Sequence, residues 1–131
     1  MFDRTGQMLR SKQLQSIQEK GIRRIVNYAY RNVPFYKKRL DDAGVKPSSV
    51  RNVDDLQKVP FTVKTDLRDN YPLGLLGVPS NRLNALHASS GTTGKPIVVA
   101  YTRHDLERWS KLMGRCLDAS GVRKGDVVQN M

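Results

Sequence analysis

Two short apolar runs enclose a stretch of small and hydroxylated residues: Leu83-Asn84-Ala85-Leu86-His87-Ala88, then Ser89-Ser90-Gly91-Thr92-Thr93-Gly94-Lys95-Pro96, then Ile97-Val98-Val99-Ala100-Tyr101. The apolar runs predict two β-strands, because β-branched residues dominate the second run and turn-forming residues bound both. We call residues 89–96 the glycine-rich loop. It contains four hydroxyl side chains, two glycines and a lysine within eight residues.

The composition of the glycine-rich loop suits a polyphosphate ligand. Glycines allow backbone N–H groups to converge on an anion, hydroxyls donate hydrogen bonds, and a lysine adds positive charge. The loop is not a Walker A motif, which has Gly where this chain has Ser89 and Ser or Thr where it has Pro96. A strand follows the loop, so no helix N-terminus supports the phosphates. An exposed turn without a chemical role is the alternative.

The residues before the loop predict helices. Apolar residues at helical spacing predict an amphipathic helix over residues 11–32, which Val33-Pro34 ends. A second helix is expected from Pro34 to about Ala43, with Gly44 as its stop. Two short helices follow. Asn52 is expected to cap the first, with Leu56 facing inward, and Thr62 is expected to cap the second, which ends before Tyr71-Pro72.

A longer helix is predicted after the second strand. Thr102 and Asp105 have the spacing of a capping box, and five apolar residues form a stripe that we expect to be buried: Leu106, Trp109, Met113, Cys116 and Leu117. Ser120-Gly121 ends this helix. Residues 127–131 have the pattern of the start of a buried strand.

These elements predict an α/β fold that is α+β within this chain. A helical region over residues 1–72 precedes the first strands and helix of a larger domain, residues 73–131. With 131 residues there is room for about one domain. Because the sequence stops inside an apolar run, we expect a cut piece of a longer protein. Its exposed sheet edge favours pairing with another copy, so a homodimer is a possible state.

The net charge of +11 is spread along the chain, with a bias toward the first half. Its basic clusters are interleaved with apolar residues at helical spacing, and no aromatic pair forms a stacking platform, so solvated helix faces are favoured over a nucleic-acid surface. One cysteine excludes an internal disulfide, and two histidines predict no metal site. No apolar run approaches the roughly 20 residues that cross a bilayer, and no secretory signal is present, which favours a cytoplasmic protein.

The glycine-rich loop resembles the phosphate-binding loop of the adenylate-forming enzymes. Together with the segments 33–36 (VPFY) and 60–72 (PFTVKTDLRDNYP), it closely resembles the N-terminal part of phenylacetate–CoA ligases, over about residues 20–131. In the wider superfamily a lysine commonly follows the proline. Here Ile97 follows it and Lys95 precedes it, an arrangement that the phenylacetate-type branch shares.

This resemblance implies an aryl acid, ATP, Mg²⁺ and coenzyme A as reactants and cofactors. It assigns the β- and γ-phosphates to Ser90, Gly91, Thr92, Thr93, Gly94 and Lys95, with Ser89 as a further hydroxyl. It also implies that residues 73–131 begin the large AMP-binding domain and that the catalytic residues lie beyond residue 131, so the chain alone should be inactive.

Two side chains outside the loop are weighed as substrate contacts. Lys64 could reach the acid or the phosphates of coenzyme A, or could be a solvated lysine. His87 could orient the loop or line the acid pocket, although a buried core histidine is favoured. Two other functions remain open, namely a small basic nucleic-acid-binding module and a short non-catalytic partner of a full-length ligase.

Overall fold

Two helices dominate the first part of the chain. The structure is a computed structural model that describes residues 9–89 and 96–129. Helix α1 spans Ser11–Asn32 and α2 spans Pro34–Asp42, which confirms both predicted helices. Val33 between them is extended, since a proline disfavours helical geometry in the residue before it. Gly44 follows α2 with φ of +65°, a conformation that suits a glycine after a helix C-terminus.

Short helical segments connect α2 to the sheet. They are 3₁₀ turns at Pro47–Ser49, Asp54–Lys58 and Ser80–Arg82, and helix α3 at Lys64–Asp69. Val53, not Asn52, occupies the N-cap position of the second turn, although Asn52 Oδ1 still accepts a hydrogen bond from the Asp55 N–H in its first turn at 2.9 Å. The expected inward orientation of Leu56 is wrong, since this side chain is 41% exposed.

The predicted cap of α3 is also wrong. Val63, not Thr62, occupies the N-cap position. The Asp66 carboxylate accepts a hydrogen bond from the Val63 N–H at 2.8 Å, so an acid in the first turn serves the N-terminus in place of a hydroxyl. Thr62 instead donates from its hydroxyl to the Tyr36 hydroxyl oxygen at 3.4 Å.

A two-stranded antiparallel sheet carries the glycine-rich loop. Strand β1 spans Leu83–Ala88 and β2 spans Val98–Thr102, close to the predicted bounds. Leu83 pairs with Thr102 and Ala85 with Tyr101, so Asn84 is an extra residue in β1 that forms a β-bulge. The mixture of helices and a small sheet confirms the predicted fold class, whereas the domain division near residue 72 stays a prediction.

Helix α4, Arg103–Ala119, follows β2 directly. The predicted capping box is confirmed: the Thr102 hydroxyl oxygen accepts from the Asp105 N–H at 3.3 Å, and the Asp105 carboxylate accepts from the Thr102 N–H at 2.9 Å. The Thr102 hydroxyl also donates to the Asp105 carboxylate at 2.7 Å. This hydrogen bond lowers the pKa of Asp105 most, followed by the one from the Thr102 N–H.

The buried core lies in the helical region. Val26, Leu40 and Val50 form its centre, and Val33 is also buried. Four half-buried side chains pack around it: Ile22, Tyr30, Val45 and Val59. In this way α1 and α2 bury their apolar faces against the turn at Pro47–Ser49 and the segment after it.

The predicted buried stripe of α4 is wrong in most of its members. Leu106 is half-buried, but Trp109 is 44% and Met113 50% exposed, and Cys116 and Leu117 are exposed as well. Among the described elements, the main contacts of this helix are with the two short strands, which cover only part of its apolar face.

The expected strand near the C-terminus is wrong for its described part. Residues 127–129 are not in a strand, and Val127 is 97% exposed. Residues 130 and 131 lie outside the described part of the chain.

One contact ties the helical region to the segment before the sheet. The Tyr28 hydroxyl on α1 donates a hydrogen bond to the Gly77 carbonyl oxygen at 2.6 Å. The Tyr28 ring lies so close to Gly77 that a Cβ there would be 2.8 Å from its Cε1 atom. Gly77 is therefore required by close packing and not by an unusual backbone angle.

Candidate functional site

The base of the glycine-rich loop is held by two hydrogen bonds. The Ser89 N–H donates to the Ile97 carbonyl oxygen at 3.0 Å, and the Ile97 N–H donates to Ser89 Oγ at 3.0 Å. These bonds extend the pairing of the two strands by one step beyond Ala88 and Val98. The loop thus begins and ends on a fixed antiparallel frame.

Most of the predicted phosphate ligands cannot be placed. Ser90, Gly91, Thr92, Thr93, Gly94 and Lys95 lie outside the described residues, so their assignment to phosphates stays a prediction. Ser89 is described, and its hydroxyl oxygen accepts the Ile97 N–H. Sequence reasoning grouped Ser89 with the other hydroxyls and missed this anchoring role, although its position at the strand end was the available signal.

His87 lies on an exposed aromatic surface and not in the core, so the favoured prediction for it is wrong. Its ring centroid lies 5.1 Å from that of Tyr101 on β2 and 5.7 Å from that of Trp109 on α4. Tyr101 and Trp109 stack with centroids 5.4 Å apart. We call these three residues the aromatic cluster. It links β1, two residues before Ser89, to β2 and α4 through contacts of the kind that stabilise cross-strand pairs.

Lys64 is exposed at the first position of α3. The roles of Lys64 and His87 as substrate contacts stay predictions. Helix α3 itself is fixed to α2, because Asp66 forms an ion pair with Arg39. The pKa of Asp66 is lowered, first by the hydrogen bond from the Val63 N–H and then by Arg39.

A small apolar groove connects α3 to the strand that leaves the loop. It has a volume of about 230 Å³ and is lined by Leu67 of α3, by Leu73 and Leu76 of the following segment, and by residues 97–100. The groove places the segment 67–76, much of which belongs to the motif-bearing stretch 60–72, against the strand that follows Pro96. The groove therefore joins part of the segment 60–72 to the residues that follow the glycine-rich loop.

Neither a metal site nor a membrane span is found in the described ranges. No group of three or more histidine, cysteine, aspartate or glutamate side chains within residues 9–89 and 96–129 could hold a metal ion. In the same ranges, every helix is too short or too polar to span a bilayer.

Comparisons with known proteins identify relatives of the whole chain. No family model matches it. It is 46% identical over 130 residues to the phenylacetate–coenzyme A ligase of Thermus thermophilus, which covers 99% of this chain and 29% of that enzyme. It is 50% identical over 103 residues to the phenylacetate–coenzyme A ligase of Pseudomonas putida, which covers 79% of this chain and 24% of that enzyme.

A solved structure shares the fold. The crystal structure of 2-hydroxyisobutyryl-CoA ligase in complex with 2-HIB-AMP and CoA superposes with a TM-score of 0.82 at 27% identity, over 90% of this chain and 26% of that one. The chain spans about a quarter of the length of the curated relatives it matches. Over most of its length this chain is therefore similar to an N-terminal part of the phenylacetate–coenzyme A ligases, and it shares the fold of the matching part of 2-hydroxyisobutyryl-CoA ligase.

Proposed function

We propose that this chain supplies the phosphate-binding loop and the N-terminal helices of an ATP-dependent aryl-acid–CoA ligase. The observation that carries the proposal is the identity of 46–50% to phenylacetate–coenzyme A ligases over most of the chain. The anchored ends of the loop support it, since a loop that grips phosphates with backbone amides needs a fixed frame.

The reaction has two steps. A carboxylate oxygen of the aryl acid forms a bond to the α-phosphorus of ATP, and pyrophosphate leaves, which gives an acyl-adenylate. The sulfur of coenzyme A then bonds to the acyl carbon, its proton is released, and AMP leaves. The proposed acid is phenylacetate, because the similar enzymes are phenylacetate–coenzyme A ligases.

The role of this chain lies in the first step. The amides, hydroxyls and lysine of residues 90–95 are proposed to hold the β- and γ-phosphates, so that the α-phosphorus is presented to the carboxylate. Mg²⁺ would reduce the negative charge of the phosphates. Because the described residues hold no cluster of metal ligands, this part of the chain is not proposed to bind the ion.

A chimeric enzyme tests the proposal. In it, this chain replaces the matching residues of the Thermus thermophilus ligase. We expect the chimera to form AMP only when phenylacetate, ATP and coenzyme A are all present, whereas the isolated chain should form no thioester. The double variant Thr92→Ala/Thr93→Ala in the chimera should lower kcat/KM for ATP by about tenfold or more, because two hydrogen bonds to a charged ligand are lost.

The control is Lys111→Gln, an exposed position on α4. It should leave kcat/KM for ATP unchanged. Two results would overturn the proposal: a folded chimera that makes no AMP, or a Thr92/Thr93 double variant with the full kcat/KM for ATP. Circular dichroism and the melting temperature establish that each protein is folded.

A further inference from the structure

A cavity lies at the end of the hairpin away from the glycine-rich loop. Its volume is about 710 Å³. It is open to solvent and is lined by α1, by residues 75–78, by β1 and β2, and by the first turns of α4. On β1, the five residues 84–88, about 15 Å of strand, separate the cavity-lining Leu83 from Ser89. On β2, Val98 and Val99 separate the cavity-lining Ala100 from Ile97. The cavity and the loop are therefore separate places on the molecule.

Basic side chains from separate elements line this cavity. Arg24 comes from α1, Arg82 from the turn before β1, and Arg103, His104 and Arg108 from α4. Guanidinium groups present several N–H donors in one plane and match phosphate oxygens in pairs. Because these side chains come from separate elements, the cluster differs from the basic face of a single solvated helix.

Few acidic groups compensate these arginines. Asp105 lines the cavity, but its carboxylate already accepts hydrogen bonds from the Thr102 N–H at 2.9 Å and from the Thr102 hydroxyl at 2.7 Å. Arg103 pairs with Glu107 at 3.1 Å. Within residues 9–89 and 96–129, Arg24, Arg82 and Arg108 form no ion pair, so the cavity keeps an excess of positive charge.

The rest of the cavity lining is partly apolar, so it could also contact a less polar part of a ligand. Ile25, Leu75 and Leu83 contribute apolar surface, and Tyr28 contributes a ring. The volume falls within the range of small-molecule and nucleotide sites. A ligand with a charged end and a less polar body would contact both kinds of wall.

We propose that this arginine-lined cavity is a second anion site, separate from the glycine-rich loop, that binds a phosphate-bearing ligand of about nucleotide size. The phosphate can arrive as free pyrophosphate or as part of a nucleotide. The proposal does not rest on the ligase activity, since it concerns a different place on the molecule.

The test is a titration of the ¹⁵N-labelled chain, followed by NMR, with pyrophosphate, ADP and adenosine as probes. Pyrophosphate and ADP should shift the amide signals of Gly77, Arg82 and Thr102, and adenosine should not. Tighter binding of ADP identifies a nucleotide ligand, and tighter binding of pyrophosphate identifies a free polyphosphate. Both results support the site, whereas the absence of shifts at these amides with either phosphate compound overturns it.

Variants separate this site from general charge effects. Arg82→Gln and Arg108→Gln should each weaken binding by about tenfold, while Lys111→Gln removes the same charge on α4 outside the cavity and should not. Arg24→Gln offers a third position should either variant fail to fold. Thr92→Ala/Thr93→Ala should leave the affinity measured at Gly77 and Thr102 unchanged. Equal weakening by Lys111→Gln, or weakening by the loop variant, would overturn the proposal.

Discussion

Ser89 shows how one side chain can differ from neighbours of the same type. By composition it is one of four equivalent hydroxyls in the loop. In the structure, its oxygen accepts a hydrogen bond from the Ile97 N–H at the end of the paired strands. The sequence predicts the loop and its flanking strands, because Gly, Ser and Thr between two short apolar runs are typical of a loop between strands. It does not reveal which hydroxyl contacts the chain itself, since that depends on strand register.

We expect Ser89→Ala to loosen the base of the loop. The Ile97 N–H loses its acceptor, which should cost about 0.5–1.5 kcal/mol and speed hydrogen exchange at that amide. Ser89→Thr keeps a hydroxyl and should restore slow exchange. Ser48→Ala, at an exposed position, is the control. Unchanged exchange at Ile97 in Ser89→Ala would contradict the anchoring role.

Gly77 is a second position at which a small change to the side chain should alter stability. In Gly77→Ala the new methyl group would meet the Tyr28 ring at 2.8 Å, so the ring must move and its hydrogen bond to the carbonyl oxygen is strained or lost. Urea unfolding should show a loss of about 1–3 kcal/mol.

The matched control for this change is Gly21→Ala in α1. A Cβ there meets nothing within 4 Å, so the same substitution should stabilise the helix by about 0.5–1 kcal/mol. Equal effects of the two glycine variants on the free energy of unfolding would contradict the packing argument.

The N-terminus of a helix can be predicted where a local motif defines it. The prediction fails where an acidic side chain takes the capping role of a Ser or Thr hydroxyl. Thr102 and Asp105 form the expected box because their spacing alone determines it. Residue type favours Thr62 as the cap of α3. In the structure, the Asp66 carboxylate instead accepts a hydrogen bond from the N–H of the N-cap residue Val63. Periodicity likewise found the apolar face of α4 correctly but could not show what covers it.

Asp66 joins α3 to α2, and we expect it to make stability depend on pH. Its pKa lies below the ordinary aspartate value, so its contribution is present above that value, near pH 4, and is lost as the pH falls through the lowered pKa. Asp66→Asn should reduce stability at pH 7 and flatten the acid-induced loss. Urea unfolding at pH 7 and pH 3 measures both effects.

Asp69→Asn serves as the control, because Asp69 is exposed on the same helix. It should follow the wild-type pH profile. An Asp66→Asn profile as steep as that of the wild type would show that another carboxylate governs the acid response.

Within the described residues, two helices expose apolar faces to solvent. On α1 these residues are Leu14, Ile17 and Ile25, and on α4 they are Trp109, Leu112, Met113 and Leu117. Exposed apolar stripes of this kind mark interaction surfaces. The homodimer expected from the sequence therefore stays a prediction, now with two helix faces as the contact in place of a sheet edge.

Analytical ultracentrifugation over a wide concentration range tests that prediction. The chain should associate as its concentration rises, and Ile17→Gln with Leu112→Gln should shift the association to higher concentration. Lys111→Gln, which alters no apolar residue, should behave as the wild type. A monomer at all concentrations would show that neither face binds a second copy.

The uneven distribution of the core has a thermodynamic consequence. Every buried hydrophobic side chain that the structure describes lies between Val26 and Val50, and the hairpin with α4 holds none. Regions with few buried contacts open at lower free energy than the rest of a protein. The frame of the glycine-rich loop should thus be the part that a bound nucleotide stabilises most. Its amides should gain hydrogen-exchange protection on addition of ATP, while those of the helical core change little.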